Sequence, residues 1–237
     1  MLNEKSPTSL YYQLIEIFIN KIKTNEWPYN SKIPSERELC ESYGVSRITV
    51  RQALSELEKA GYLYRKQGKG SFVTIPKIEQ RLASFYSFSE EIRKMGFTPS
   101  TKVLEFKLVD PDDDVEYHLK TVEKVYHIRR LRLANNEPFA IEISYIPEQV
   151  CPNMLLEEIL TDGLYKTMKF KYNLKPNEAI ETFEAILINR DEAINLDVNK
   201  NSPGFLLHRD TYSDGRVVEY CKGVIRGDRY RYQVVLK

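Results

Sequence analysis

The stretch from Ile33 to Gly70, IPSERELCESYGVSRITVRQALSELEKAGYLYRKQGKG, leaves few ways to fold. Ser35 followed three residues on by Glu38 is a capping box that opens a helix, and Gly44 stands where a left-handed C-terminal cap is needed. Ser46 opens the next helix, predicted to run to Ala60. On it Val50, Ala53, Leu54 and Leu57 form one apolar stripe. Ile48, Arg51, Gln52 and Ser55 fall on the opposite face, with Arg47 and Thr49 in the first turn. Two short helices across so tight a turn make a helix-turn-helix. Tyr62 to Arg65 then reads as a strand, Lys66-Gln67-Gly68-Lys69 as a turn, and Gly70 to Ile75 as the returning strand.

Upstream, Leu10, Leu14, Ile17, Phe18 and Ile22 recur at helical spacing between Thr8 and Asn25, and Trp27-Pro28 closes that helix. Taken alone, the amphipathic helix from Ser46 to Ala60 reads as an ordinary solvated surface. The basic, glycine-bearing hairpin after it favours a winged helix-turn-helix, whose wing tip can reach a minor groove while the second helix meets base edges in the major groove. There Arg donates in bidentate fashion to guanine and Gln to adenine. Pro34-Ser35-Glu36-Arg37, Ser46-Arg47, Thr49-Val50-Arg51, Ala53-Leu54, Leu57, Gly61 and Gly68-Lys69-Gly70-Ser71-Phe72-Val73 resemble the GntR family of bacterial transcriptional repressors. The resemblance implies DNA contacts at Arg37, Arg47, Thr49 and Gly68. With the outward polar groups the expected DNA-facing set is Ser35, Arg37, Arg47, Thr49, Arg51, Gln52, Gly68 and Lys69, and the partner is double-stranded operator DNA. Capping and solvation explain Ser35 and Glu36 as well as phosphate contact does.

A chain of 237 residues is long enough for two domains. Residues 1–76 carry 11 Lys and Arg against 8 Glu and no Asp, a net of +3 that leaves −2 for the remainder of a chain at +1. The expected division is a DNA-binding domain at 1–76, a short polar connector at 77–81 and a second domain at 82–237. Cys40, Cys151 and Cys221 are widely spaced and odd in number, which suits a reducing compartment and buried apolar roles. No segment approaches the ~18 apolar residues that span a bilayer. The expectation is a cytoplasmic protein, nucleoid-associated when bound to DNA, with no membrane partner and no cofactor. His118, His127 and His208 have no metal or triad spacing, so neither metal ligands nor catalytic residues are expected.

The second half is patterned as an α+β domain. Ser87-Phe88-Ser89-Glu90 repeats the capping-box pattern, in a helix ending near Gly96 that Pro99 cannot continue. Val103 to Leu108 and Lys124 to Leu133 read as strands flanking a short helix at Asp112 to Leu119. Alternation puts Ile128, Arg130, Arg132 and Ala134 on one face of the second strand. Asn135-Asn136 turns the chain into Phe139 to Ile146. A three-residue loop sets Arg132 opposite Ala140 and Arg130 opposite Glu142, whereas a two-residue loop sets Glu142 opposite Arg129. Arg130, Arg132 and Glu142 fit either a buried ion-pair network or a ligand pocket in which guanidinium forks take phosphate or carboxylate. Leu155 to Leu160, Leu164 to Tyr172 and Asp191 to Leu196 read as helical. Ala179 to Asn189, Phe205 to Tyr212, Arg216 to Arg226 and Arg229 to Leu236 read as strands, the middle pair joined at Asp214-Gly215.

Arg130-Leu131-Arg132-Leu133-Ala134, Pro138-Phe139-Ala140-Ile141-Glu142, Ser144-Tyr145-Ile146-Pro147, Leu164-Tyr165, Glu219-Tyr220 and Arg226-Gly227-Asp228-Arg229-Tyr230, with the Ser87 segment, resemble the UTRA effector-sensing domain of the HutC subgroup. That likeness implies a chorismate-lyase-like antiparallel sheet, a homodimer, and a small effector of the sugar-phosphate or amino-sugar-phosphate class. The effector-binding set it implies is Ser87, Phe88, Arg130, Arg132, Glu142, Tyr165 and Glu219. Gly163 and Ile225 depart from the pattern of sugar-phosphate sensors, which keeps a non-sugar carboxylate or phosphonate ligand in play. An enzyme of lyase type and a purely architectural DNA-binding dimer are the rival classes.

Overall fold

The computed structural model of the protein describes residues 2, 7–74, 76–81 and 85–234. They divide into two compact units, residues 1–78 with 93–98, and residues 79–92 with 99–237. Ile75 at the expected end of the wing, residue 82 at the expected start of the second domain, and Leu236 lie outside the described residues.

The first unit begins with α1 (Leu10–Lys23), shorter than predicted because Thr24 caps it and Asn25 turns left-handed before Trp27 is reached. Trp27 instead packs its ring 5.0 Å from Phe18. α2 (Glu36–Tyr43) carries the full capping box between Ser35 and Glu38 and stops at Gly44, φ 66°. α3 (Arg47–Lys59) starts at Ser46, whose hydroxyl accepts the Thr49 N–H. Leu14, Phe18, Ile22, Leu39, Val50, Ala53, Leu54 and Leu57 are buried together as the core of the three helices. β1 (Leu63–Lys66) and β2 (Gly70–Val73) form the antiparallel wing, with Lys66 opposite Gly70. Lys32 adds a bridge to Phe72, so the chain entering α2 also pins the wing. Cys40 is only half-buried, unlike the interior role expected of it, because it sits on α2 beside the buried Leu39.

The stretch expected to be a connector contains β3 (Ile78–Arg81), which pairs with β10 (Tyr230–Gln233). The correction has a simple cause: the pairing partner lies at the far end of the chain, invisible to local composition. α4 (Phe88–Lys94) follows. Pro99, expected only to block a helix, opens β4 (Pro99–Val109), an edge strand where a missing N–H is tolerated. α5 (Asp113–Leu119), β5 (Val125–Ala134), β6 (Glu137–Pro147), α6 (Leu156–Asp162), α7 (Leu164–Lys171), β7 (Glu178–Leu187), α8 (Arg190–Leu196), β8 (Pro203–Ser213) and β9 (Arg216–Arg226) complete the second unit. Its main sheet is antiparallel in the order β4-β5-β6-β9-β8-β7.

Each face of that sheet has its own core. Tyr126, Ile128 and Ile146 pack with Met154, Ile159, Leu164 and Met168 from the α6 and α7 side. Leu131, Ile141 and Val224 pack with Ala193 and Leu196 of α8, while Val125 and Tyr220 pack with Val115 and Leu119 of α5. Residues 126, 128, 130, 132 and 134 of β5 therefore face α6 and α7, and 125 and 131 face α5 and α8.

The β5–β6 hairpin resolves the loop alternatives by combining them. Asn135 and Asn136, both at positive φ, make a two-residue turn that pairs Ala134 with Glu137. A bulge then leaves Phe139 unpaired, and the register shifts so that Arg132 faces Ala140 and Arg130 faces Glu142. The pairing expected of a three-residue loop is thus reached through a two-residue loop.

Candidate nucleic-acid interface and effector site

On the first unit, Arg37, Arg47, Arg51, Gln52, Gly68 and Lys69 are exposed, and Thr49 is half-buried. Arg51 Nε and Arg65 Nη2 both lie 3.8 Å from Glu36 Oε1, and Arg37 Nε lies 3.8 Å from Glu41. Exposed pairs at that separation hold their partners weakly, which leaves the guanidinium groups available to a competing anion. Thr49 Oγ1 lies 2.9 Å from Ser46 Oγ, so in the free protein its hydroxyl engages its own helix cap. Ser35 spends both its N–H and its hydroxyl on Glu38 Oε2, each at 2.7 Å, and those donors hold the Glu38 carboxyl below its ordinary pKa. The observed task of Ser35 is capping. Gly68 occupies the wing turn at φ 71° with no neighbour crowding its Cα, so the backbone bend rather than space calls for glycine there.

On the second unit the sheet register sets polar side chains in rows on the α6 and α7 face. Cross-strand partners run Arg132–Ala140–Ile225–Phe205, then Arg130–Glu142–Gly223–Leu207–Phe183, then Ile128–Ser144–Cys221–Arg209–Glu181, and Glu219 faces Thr211. Opposed residues share a face, so charges distant in sequence converge. Arg132 Nη1 donates to Glu142 Oε2 at 2.9 Å and its Nη2 to Ser89 Oγ at 3.0 Å, while the Phe88 ring lies 4.8 Å from its guanidinium carbon. Arg130 Nη2 donates to Ser144 Oγ at 2.6 Å and lies 3.3 Å from Glu142 and 3.9 Å from Glu219. Glu219 in turn accepts from Ser144 at 2.5 Å, Tyr165 at 2.7 Å and Thr211 at 3.0 Å.

Arg130, Arg132 and Glu219 are 4%, 8% and 1% exposed. Burial pushes the Glu142 carboxyl up, but Arg132 and Arg130 more than offset this and bring its pKa below the ordinary value. The Nε–H groups of Arg130 and Arg132 are buried without a hydrogen-bond partner, so the network is short of acceptors. Ser87 caps α4 by accepting the Glu90 N–H at 3.3 Å. It is Ser89, two residues on, that reaches Arg132.

The sequence reading missed a neighbouring triad. Arg209 on β8 lies 3.3 Å from Glu181 and donates to the Tyr86 carbonyl at 2.9 Å, and the Tyr86 hydroxyl donates to Glu181 at 2.9 Å. Phe85 and Tyr86 each place a ring 4.8 Å from the Arg209 guanidinium carbon. Burial opposes its charge, but Tyr165 and Glu181 around it keep the pKa above the ordinary arginine value. Both ends of Tyr86 are thus clamped just before the segment that carries Ser87, Phe88 and Ser89. A signal existed in the alternation Leu207, Arg209, Thr211, where an arginine occupies an inward position as Arg130 does on β5.

A winged helix-turn-helix joined to an antiparallel α+β domain is a combination that known proteins share. The description "Bacterial regulatory proteins, gntR family" matches residues 10–73, and "UTRA domain" matches residues 94–231. The chain belongs to the GntR family. The HTH-type transcriptional repressor NagR of Bacillus subtilis (strain 168) is 37% identical over 235 residues, covering 98% of this chain and 96% of that protein. The mannosyl-D-glycerate transport/metabolism system repressor MngR of Escherichia coli (strain K12) is 26% identical over 95% of both. A histidine utilization repressor of Pseudomonas aeruginosa is 28% identical over 96% of this chain and 91% of its own. Among solved structures, PhnF from Mycobacterium smegmatis superposes with a TM-score of 0.72 at 25% identity, over 97% of this chain and 99% of that one. This GntR-family protein is a DNA-binding transcriptional repressor of the HutC type with a UTRA domain, not an enzyme. Among the described residues no helix is long and apolar enough to cross a membrane.

Proposed function

We propose that this repressor leaves its operator when a small phosphorylated sugar or amino sugar binds among Arg130, Arg132, Glu142, Tyr165 and Glu219, with Ser87 and Phe88 of α4 at the same site. The observation that carries the reading is the buried network itself: two guanidinium groups with unpartnered Nε–H, beside a carboxylate bound by three hydroxyls. Guanidinium forks suit a phosphate, and the carboxylates suit sugar hydroxyls. A chain needing only to hold DNA has no use for so much buried charge. Two copies pair through their UTRA domains so that two winged units address a palindromic operator, and effector binding favours the state that fits it less well. The DNA-facing residues are Arg37, Arg47, Thr49, Arg51, Gln52, Gly68 and Lys69, with Ser35 shaping the helix start.

One observation favours a second ligand class. Gly163, two residues before Tyr165, has φ 82° and ψ 155°, a region that side chains reach only under strain. Glycine supplies no side-chain donor there, and a carboxylate, with two oxygens against a phosphate's three, needs fewer donors. Calorimetric titration with hexose phosphates, hexosamine phosphates, and non-sugar carboxylates and phosphonates separates the classes. The expected outcome is heat for a member of the phosphate set, weakened at least tenfold by Arg132→Ala. Heat for the carboxylates or phosphonates alone selects the second class, and no heat from any set overturns the effector assignment.

A further inference from the structure

Ile48 is 79% exposed, on a helix whose other aliphatic side chains, Val50, Ala53, Leu54 and Leu57, are at most 3% exposed. It is the second residue of α3, flanked by the exposed Arg47 and the half-buried Thr49. Helical spacing sets it on the same stripe as Arg51, Gln52 and Ser55, with Arg51 on one side and Gln52 on the other. All three of those neighbours are exposed and polar. A lone surface aliphatic is common and by itself says nothing. Here the surroundings narrow its use. Arg37, Arg47, Arg51, Arg65, Lys66 and Lys69 crowd the same unit with exposed positive charge, which selects a polyanion as the covering partner.

If Arg51 and Gln52 enter the major groove, Ile48 enters between them and is dehydrated there. The floor of that groove is lined by hydrogen-bond donors and acceptors, with one apolar group among the four unmodified bases, the C5 methyl of thymine. An isoleucine facing cytosine N4 or adenine N6 would strip water from a polar edge and return nothing. We infer that Ile48 is a specificity-determining residue, reading a thymine methyl in each half-site while the neighbouring arginines and Gln52 supply the hydrogen bonds.

The test uses the full chain and a randomised duplex library. Wild-type protein selects its sites, and each invariant thymine in them is replaced in turn by deoxyuridine, which removes only the methyl. At one thymine position, replacement in a single half-site should weaken binding about fourfold, the worth of one buried methyl group. In Ile48→Ser, an exposed change that leaves the core stripe intact, selection should lose thymine at that position alone, and the deoxyuridine penalty should vanish there. Placing 5-methylcytosine opposite guanine at that position should recover part of the wild-type affinity without helping Ile48→Ser. The inference is overturned if the wild type tolerates every deoxyuridine, if it selects no thymine, or if Ile48→Ser keeps the same sites and the same penalty. A uniform loss across all sequences in Ile48→Ser also overturns it, since that marks a change in helix stability and not in base reading.

Discussion

Arginines do opposite work in the two units. On the winged unit Arg37, Arg51 and Arg65 stand exposed, each 3.8 Å from a carboxylate. On the UTRA sheet Arg130, Arg132 and Arg209 are buried, with carboxylate or hydroxyl partners at 2.6 to 3.3 Å. Exposed pairs are screened and contribute little, so their arginines can move to a phosphate at small cost. Buried pairs bind their partners tightly, and a ligand entering among them must offer comparable charge and hydrogen bonds. The exposed set suits rapid, salt-dependent contact with a polyanion, and the buried set suits the selective response to a small ligand proposed for it.

That contrast can be broken at several points. The largest effect should come from Glu219→Ala, which leaves the Ser144, Tyr165 and Thr211 hydroxyls without their acceptor and Arg130 with Glu142 as its remaining carboxylate, and should cost about 3 to 5 kcal/mol in urea unfolding. A loss under about 1 kcal/mol would mean that water already enters the network. On the DNA side, Arg47→Ala should cost about 1 to 3 kcal/mol in operator affinity and relax preference at one base position. Lys69→Ala should weaken all sequences evenly and lower the salt slope by about one. If Arg47→Ala also weakens all sequences evenly, Arg47 contacts phosphate and not base. Ser35→Ala should remove about 1 kcal/mol of stability, read as a lower melting temperature with DNA specificity unchanged.

A pH-dependent effect falls on Glu137, after the Asn135-Asn136 turn. Burial, with Asp197 and Asp228 nearby, outweighs Arg229 and Arg226 and raises its pKa from 4.5 to about 7. Because the folded state favours the protonated carboxyl, stability from this group is complete below pH ~4.5 and is lost as pH rises through about 7. Glu137→Gln should therefore gain stability over wild type between pH 5 and pH 8 and show no gain at pH 4. An unchanged difference across that range would show Glu137 to be ordinary. The smallest effect belongs to Glu36→Gln, which loosens Arg51 and Arg65 and should shift stability by less than about 0.5 kcal/mol. A loss above 1 kcal/mol would show that the exposed pairs are structural.

The winged unit was legible in the sequence because its signals are local. Caps at Ser35, Gly44 and Ser46 and the stripe Val50 to Leu57 each act within one helix. The UTRA sheet was legible as strands, but its site was less so. Arg130 and Glu142 could be paired only as one of two registers, because the bulge at Phe139 is a tertiary adjustment that turn chemistry does not announce. Arg209, Glu181 and Tyr86 meet across 95 and 123 residues of sequence, and only the sheet order brings them together. β3 was hidden for the same reason, since its partner β10 lies at the other end of the chain.

The most direct measurement is fluorescence anisotropy of labelled operator held by the full-length protein and titrated with phosphorylated hexoses and hexosamines. The account predicts release of the wild type by at least one of them. It predicts retention on DNA at the same concentration for Arg132→Ala and for the milder Tyr165→Phe, both with unaltered operator affinity in the absence of ligand. Release of both variants at the wild-type concentration, or no release of the wild type by any phosphorylated sugar, would contradict it.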